Sequence, residues 1–313
     1  MPLLPATHIN IIDAARLLRG GGLVAFPTET VYGLGANAFD GKAVAKIFAA
    51  KDRPRINPLI VHVANREMAE RLGTFHANAA ALADAFWPGA FTLVLERTPD
   101  CPASDLVSAG LTTIAVRMPA HEVARDLIAA AGVPLAAPSA NPSERLSPTT
   151  AAHVEVGLGD KVDMILDGGA TTLGIESTVC GIFGDEVILL RPGSITREQI
   201  ESVAGPLSTR QLEKAHAPGQ MTRHYAPQTP VRLNETAPGA DDALLAFGPT
   251  PKHNGPVCNL SESGDLGEAA ANLFSMLRAL DASGANSIAV MPIPNDGIGE
   301  AINDRLSRAA AES

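Results

Sequence analysis

The chain has 313 residues, of which 46% are hydrophobic and 19% charged, and a formal net charge of −10, a balance that favours two compact units and disfavours a broad electrostatic footprint for nucleic acid. No run of about 18 apolar residues is present to span a bilayer, and Met1-Pro-Leu-Leu-Pro5 is not a basic-then-apolar leader, so a cytoplasmic protein without membrane contact is expected. Cys101, Cys180 and Cys258 are far apart, odd in number and in no C-x-x-C spacing, which argues against a disulfide framework or a structural zinc site.

Apolar positions Ile12, Ala15 and Leu18 at helical spacing predict a helix over 9–19, ended by Gly20-Gly21-Gly22. Leu23-Val-Ala-Phe26 predicts a buried strand that runs into Pro27-Thr-Glu-Thr-Val-Tyr-Gly-Leu-Gly35. Pro27 cannot donate to a central ladder, and Gly33 and Gly35 permit positive φ, so this stretch is read as a loop at a strand end. It is either a turn whose hydroxyls satisfy local backbone or one wall of a ligand site. A second helix over 41–50 delivers Lys51-Asp-Arg-Pro-Arg-Ile-Asn-Pro58, closed by prolines. Strands are expected at 58–63, 91–95 and 113–119, with helices at 66–72, 78–86 and 121–131.

Further on, 133–142 reads as a strand ending in the polar turn Ser139-Ala-Asn141, and 149–157 as a helix. Strands at 164–167, 176–183 and 187–192 follow, the last two joined by a Gly184-Asp185 hairpin signal. Alternating units plus a hairpin imply a twisted, open, mixed α/β sheet. Periodicity fades from 206 to 230. A strand at 243–247, a helix at 266–280, a strand at 287–291 and a helix at 298–311 then predict a smaller Rossmann-like α/β domain with a parallel pair. The expected organisation is therefore a larger α/β domain over 1–207, a semi-rigid linker over 208–230 equipped to cover something, and a small α/β domain over 231–313.

From Val231 to Ser313 there are 5 Lys+Arg against 11 Asp+Glu, net −6, leaving −4 for the first 230 residues. Between Asp40 and Asn57 the sign reverses, with Lys42, Lys46, Lys51, Arg53 and Arg55 against Asp40 and Asp52. A local basic cluster in an acidic protein suits a small anion better than a polymer. Lys51-x-Arg53 followed by Asn57 would converge on a polyphosphate, or else cap the helix C-terminus. Ser139-x-Asn141, Gly174-Ile-Glu-Ser-Thr-Val179 and Arg191-Pro-Gly-Ser194 are further polar clusters at strand ends. Arg117, inside an apolar strand, pairs either with a buried carboxylate or with a ligand carboxylate. Gly33-x-Gly35-x-x-Ala38 is a poor dinucleotide fingerprint, because the acid expected about 20 residues on is replaced by Lys51 and Arg53.

Taken in order, Pro27–Gly35, Lys51-x-Arg53, Asn57-Pro-Leu-Ile-Val-His62, Thr113-Ile-Ala-Val-Arg-Met-Pro119, Ser139-Ala-Asn141, Glu176-Ser-Thr178 and Arg191-Pro-Gly193 resemble the YrdC-like family. The linker Pro218-Gly-Gln-Met-Thr-Arg-His-Tyr-Ala-Pro227 and the small second domain are similar to its two-domain form. The resemblance implies formation of threonylcarbamoyl-AMP and pyrophosphate from L-threonine, bicarbonate and Mg²⁺-ATP, the first step towards threonylcarbamoyladenosine at position 37 of tRNA. It places threonine against Thr30, His62, Arg117, the backbone at Ala137, and Ser177. ATP would be held by Arg53, Asn57, Thr113, Ser139, Ser147, Arg191 and Tyr225, completed by Lys51 and Asn141. Lys51 and Arg53 would carry the catalytic electrostatics, with Mg²⁺ held mainly through the ATP phosphates. Glu29 would place Mg²⁺ or water, or serve as a buried structural carboxylate. The product would pass to the tRNA threonylcarbamoyl-transfer machinery, with direct tRNA contact an open alternative. An RNA-binding module of the same fold is the rival reading, disfavoured by the charge and by only two tyrosines and one tryptophan.

Overall fold

The computed structural model describes residues 2–210, 224–239 and 241–311. The larger unit runs through β1 (Leu3–Pro5), α1 (His8–Arg19), β2 (Val24–Phe26), β3 (Gly33–Asn37), α2 (Gly41–Lys51), β4 (Ile60–His62), α3 (Arg66–Glu70), α4 (Ala77–Phe86) and β5 (Phe91–Glu96). It continues through β6 (Thr113–Arg117), α5 (Glu122–Ala131), β7 (Leu135–Ala136), α6 (Ala151–Leu158), β8 (Met164–Asp167), β9 (Thr178–Phe183), β10 (Glu186–Arg191) and α7 (Arg197–Ala204). Among the described residues its strands form one ten-stranded sheet, ordered β1-β8-β2-β3-β7-β4-β6-β5-β9-β10. Parallel pairs such as β4 with β6 alternate with antiparallel pairs such as β5 with β6, so the sheet is mixed, as the sequence predicts. Helices cover both faces because its strands alternate apolar residues to both sides: α1 and α5 pack over Val24, Phe26 and Leu166, and α2 and α6 over Leu34, Val61 and Val116.

The smaller unit contains β11 (Val231–Arg232), β12 (Ala243–Ala246), β13 (Val257–Asn259), α8 (Leu266–Asp281), β14 (Ile288–Val290) and α9 (Gly299–Ala309). Among the described residues its four strands are all parallel, in the order β11-β14-β12-β13. Its core does not stop at its own edge. Val31, Leu146 and Ile175 of the larger unit join Phe274, Leu273 and Leu306 in one apolar cluster. Among the described residues no helix is long and apolar enough to cross a membrane.

One expectation needs correction. Gly33 and Gly35 are not loop residues; they lie in β3, antiparallel to β2, with Phe26 opposite Gly33 and Val24 opposite Gly35. Glycine is required there for close approach rather than for positive φ, because a Cβ on Gly35 would sit 2.8 Å from Cε1 of Phe26. The true loop is thus 27–32. Elements β1, α7, β11 and β13 are additions to the elements expected from the sequence.

Candidate active site

Register builds the site. Across the sheet, His62 is opposite Arg117, Arg117 opposite Thr92, Thr92 opposite Val179, and Val179 opposite Arg191. Directly paired residues point to the same face, so two arginines, a histidine and a threonine share one row. Two residues along each strand, Ile60, Ala115 and Val94 form with Val179 a small buried apolar floor. The loop at 27–32, the turn after β7 and the residues just before β9 close around this row. Together they line one cleft, and convergent polar side chains in a cleft are what a small-molecule site requires.

Nine of the fourteen predicted site residues line that cleft: Thr30, Arg53, His62, Arg117, Ala137, Ser139, Ser177, Arg191 and Tyr225. Arg117 donates from Nη2 to Glu29 Oε1 at 2.6 Å, from Nη1 to Thr30 Oγ1 at 2.9 Å and from Nε to the Gly89 carbonyl at 3.1 Å. The carboxylate alternative for Arg117 therefore has a named partner, and Glu29 is a buried member of an ion pair. Burial opposes ionisation of Glu29, but the guanidinium beside it prevails and holds its carboxyl below the usual range. Three of the five guanidinium N–H groups are used in these bonds, which leaves two for a ligand. Thr28 takes the local role: its hydroxyl donates to the Val31 carbonyl at 2.6 Å and accepts from the Thr30 and Val31 amides at 3.2 Å.

Ser177 is held at both ends. Its hydroxyl is 2.8 Å from that of Thr92, and Arg191 donates to its carbonyl at 2.9 Å and to its hydroxyl at 3.1 Å. Gly193 permits this turn, since a Cβ there would come within 2.3 Å of the Thr178 amide nitrogen. The Ala137 N–H is committed to the Ile60 carbonyl at 2.9 Å. Arg53 donates to the carbonyls of Asn57 at 3.4 Å and Pro58 at 3.0 Å; burial lowers its pKa to about 10, which leaves it charged at neutral pH.

Five predicted residues sit behind or beside the cleft. The Lys51 ammonium donates to the carbonyls of Ser139, at 2.6 Å, and Asn141, so it ties the end of α2 to the turn after β7. It does not cap α2, whose last carbonyls are met by the backbone of Asp52 in a left-handed conformation, φ 52°. Burial, and then the neighbouring Arg53, press the Lys51 pKa well below its ordinary value. Asn141 is buried, and its side-chain amide donates to the carbonyls of Pro142 and Arg145. Ser147 donates to Glu176 Oε1. Asn57 is buried beside Arg53. Thr113 shares the face of Arg117 but stands at the opposite end of β6, about 13 Å away at strand rise.

Among the described residues, three of those lining the cleft carry a buried polar atom without a hydrogen-bond partner: Nδ1 of His62, Nδ1 of His224 and the hydroxyl of Tyr225. Buried groups of this kind are nearly always satisfied, so three such atoms on residues lining one cleft point to a ligand. Burial, then the charge of Arg117, lowers the His62 pKa to about 3, so its ring is neutral at pH 7 and meets the edge of Phe26 at a centroid distance of 6.3 Å. His224 and Tyr225 belong to the predicted linker, whose residues 211–223 lie outside the described residues. Tyr225 adopts φ 60° and packs between His224, at 4.0 Å, and Phe274 of α8, at 5.4 Å.

Sequence reasoning left Glu176 without a role and passed over Arg305. Glu176 lines the cleft and pairs with Arg305 of α9 at 3.0 Å. The available signal was the helical stripe Ala301, Ile302, Arg305, Leu306, Ala309, in which a cation occupies a core position. No three His, Cys, Asp or Glu side chains converge as a metal-holding group among the described residues, and both Glu176, which lines the cleft, and Glu29, the partner of Arg117, are ion-paired. The residues present do not fit a resident divalent cation.

Residues 16–193 match the family profile of Sua5, YciO and YrdC, which carries the description telomere recombination, and residues 195–311 match a threonylcarbamoyl-AMP synthase C-terminal domain. The chain is 43% identical to a threonylcarbamoyl-AMP synthase of Bacillus subtilis, over 96% of this chain and 93% of that protein. It is 42% identical to one of Pyrococcus abyssi, over 95% and 93%. The structure resembles the crystal structure of P. abyssi Sua5 complexed with L-threonine, with a TM-score of 0.91, 38% identity, and coverage of 99% of this chain and 98% of that one.

Proposed function

The chain belongs to the Sua5, YciO and YrdC family, in the form that carries the synthase C-terminal domain, and from that premise we propose how its cleft makes threonylcarbamoyl-AMP. The activity is that of an adenylate-forming nucleotidyltransferase in tRNA modification. The observation that carries the residue assignments is the cleft itself, which three arginines line together with three residues that carry unpartnered buried polar atoms.

Threonine lies along the row His62, Arg117 and Ser177. Its carboxylate takes the two remaining N–H groups of Arg117, and its hydroxyl bonds to the unpartnered ring nitrogen of His62. Thr30 and Glu29 hold the guanidinium in place and do not touch the reacting atoms. The amine captures carbon dioxide derived from bicarbonate, losing a proton to form a carbamate. One carbamate oxygen attacks the α-phosphorus of ATP, and the bond from that phosphorus to the bridging oxygen of pyrophosphate breaks. Mg²⁺ enters with ATP as part of the substrate.

Arg53, Ser139, Arg191 and Tyr225 are the nucleotide side of the cleft. Lys51 acts by fixing the Ser139 and Asn141 backbone, and Asn57, Ser147 and Thr113 complete the nucleotide set from positions around it. The division of the chain is a catalytic unit over 1–207, a linker over 208–230 and a small unit over 231–313. The location is cytoplasmic, and the adenylate passes to an enzyme that transfers the threonylcarbamoyl group to tRNA.

Ligand protection tests the amino-acid half. L-threonine at 100 times its dissociation constant stabilises the folded chain by about 2.7 kcal/mol, whereas L-valine at the same concentration gives no resolvable shift, because it leaves the polar groups around its missing hydroxyl unpaired. Equal protection by both would remove threonine as the substrate of this pocket.

A further inference from the structure

A carboxylate in the wall of an anion site is an oddity that the family activity does not explain. Glu176 is 7% exposed and lines the cleft beside Arg53 and Arg191. It directly precedes Ser177, whose carbonyl and hydroxyl hold Arg191. Left alone, such a carboxylate would turn to the nearest guanidinium and cancel it, and would also repel incoming phosphates.

What prevents this comes from the other unit. Arg305 lies on the apolar stripe of α9, with its side chain at 0% exposure. It donates from Nε to Glu176 Oε2 at 3.0 Å and from Nη1 to Asp304 Oδ2 at 2.7 Å. The other Glu176 oxygen accepts the Ser147 hydroxyl. The carboxylate is thus held on both oxygens by partners other than the cleft arginines. The same guanidinium stands 5.4 Å from the centroid of the Tyr225 ring, so it also backs the last described stretch of the linker. Arg191 feels both charges, being pressed down by its burial first and then by Arg305, while Glu176 acts in the opposite sense.

We propose that Arg305 is a positioning residue through which the C-terminal unit sets the charge of the nucleotide site: it occupies Glu176 and so keeps that carboxylate from neutralising Arg53 and Arg191, the cations of the ATP-phosphate site. It touches neither substrate. The inference rests on the reading of the cleft as a synthase site, and it gives the small unit a task in that site: supplying a buried counter-ion. Removing Arg305 should weaken ATP and spare threonine, because the threonine row is organised by Glu29, Thr30 and Thr92 rather than by Glu176.

The test is steady-state pyrophosphate release on the full chain with KM for ATP, kcat and the threonine dissociation constant by calorimetry, for Arg305→Met, Arg305→Lys, Glu176→Gln and the double variant Arg305→Met with Glu176→Gln. A stranded buried carboxylate should raise KM for ATP by about 20-fold or more in Arg305→Met and leave the threonine constant within about 2-fold. Arg305→Lys, which keeps the charge, should stay within about 5-fold. The double variant should return KM for ATP to within about 3-fold of Glu176→Gln alone, since the group to be neutralised is gone. An unchanged KM for ATP, a parallel loss of threonine binding, or failure of Glu176→Gln to restore the double variant would each overturn the proposal. Absence of threonine-dependent release from the unmodified chain would instead refute the reading of the site.

Discussion

Arg117→Met is the perturbation whose cost the structure specifies most closely. The pair it breaks has a 2.6 Å separation, with side chains 4% and 11% exposed. At an effective dielectric of about 20 two unit charges that close attract by roughly 6 kcal/mol, most of which is offset by the cost of burying them. Removing one partner strands the other, at about 3–5 kcal/mol. The methionine also leaves the Gly89 carbonyl and Thr30 hydroxyl without their donor. A loss of about 4 kcal/mol at pH 7 is therefore expected in urea unfolding, together with loss of threonine binding by calorimetry.

The pH dependence has a definite sign. In the unmodified chain the Glu29 pKa is lowered, so its contribution is present above the unfolded value and lost as pH falls through the folded one. In the variant, burial is opposed only by backbone hydrogen bonds, so that pKa rises above its value in the unmodified chain, and the deficit is largest near pH 7 and narrows as pH falls. Adding Glu29→Gln should recover more than half of the lost stability without recovering threonine binding. A double variant as unstable as the single one, or a deficit that widens in acid, would refute the assignment of Glu29 as the stranded charge.

Lys51→Met removes the tie to Ser139 and Asn141 but also relieves a buried ammonium, so stability should change by no more than about 2 kcal/mol in either direction while pyrophosphate release falls about 100-fold; near-normal release would show that the tie is dispensable. Gly35→Ala drives a methyl against the Phe26 ring, 2.8 Å away, and should cost about 1–3 kcal/mol in urea unfolding and weaken threonine binding through the displaced edge of His62. Acid should destabilise the chain through His62: its folded pKa of about 3 lies below the unfolded value near 6.5, so the unfolded state binds the extra proton between those limits. Its contribution is present above pH 6.5 and lost as pH falls towards 3, with a slope of up to about 1.4 kcal/mol per pH unit. His62→Gln should flatten that part of the stability profile.

Much of the site was legible because strand alternation alone assigns side chains to faces. In Thr113-Ile-Ala-Val-Arg117 the large apolar residues Ile114 and Val116 enter the core under α2 and α6, while on the other face Ala115 joins the buried apolar floor and Arg117 lines the cleft. What alternation cannot give is distance along the strand, which is why Thr113 shares that face but stands apart. Strand β3 was illegible for a different reason: Gly-Leu-Gly-Ala-Asn contains none of the β-branched residues that mark strands, and its glycines answer to Phe26 across the pair. The role of Lys51 depends on carbonyls 88 and 90 residues away, so its spacing from Arg53 announces a cation without showing where it points. Arg305 was visible as a charge on an apolar stripe, yet its meaning lies in a carboxylate 129 residues upstream. Local pattern identifies an unusual residue; tertiary register supplies its partner.

If one cleft joins a carbamoylated threonine to the α-phosphate of ATP, pyrophosphate cannot leave unless both halves of that carbamate are supplied. The decisive measurement is pyrophosphate release from Mg²⁺-ATP, with threonine and bicarbonate omitted in turn and the nucleotide product identified by mass spectrometry. The predicted result is release that needs both co-substrates, with threonylcarbamoyl-AMP formed in equal amount. Release that persists at full rate without threonine, or a product lacking the threonyl group, would contradict it.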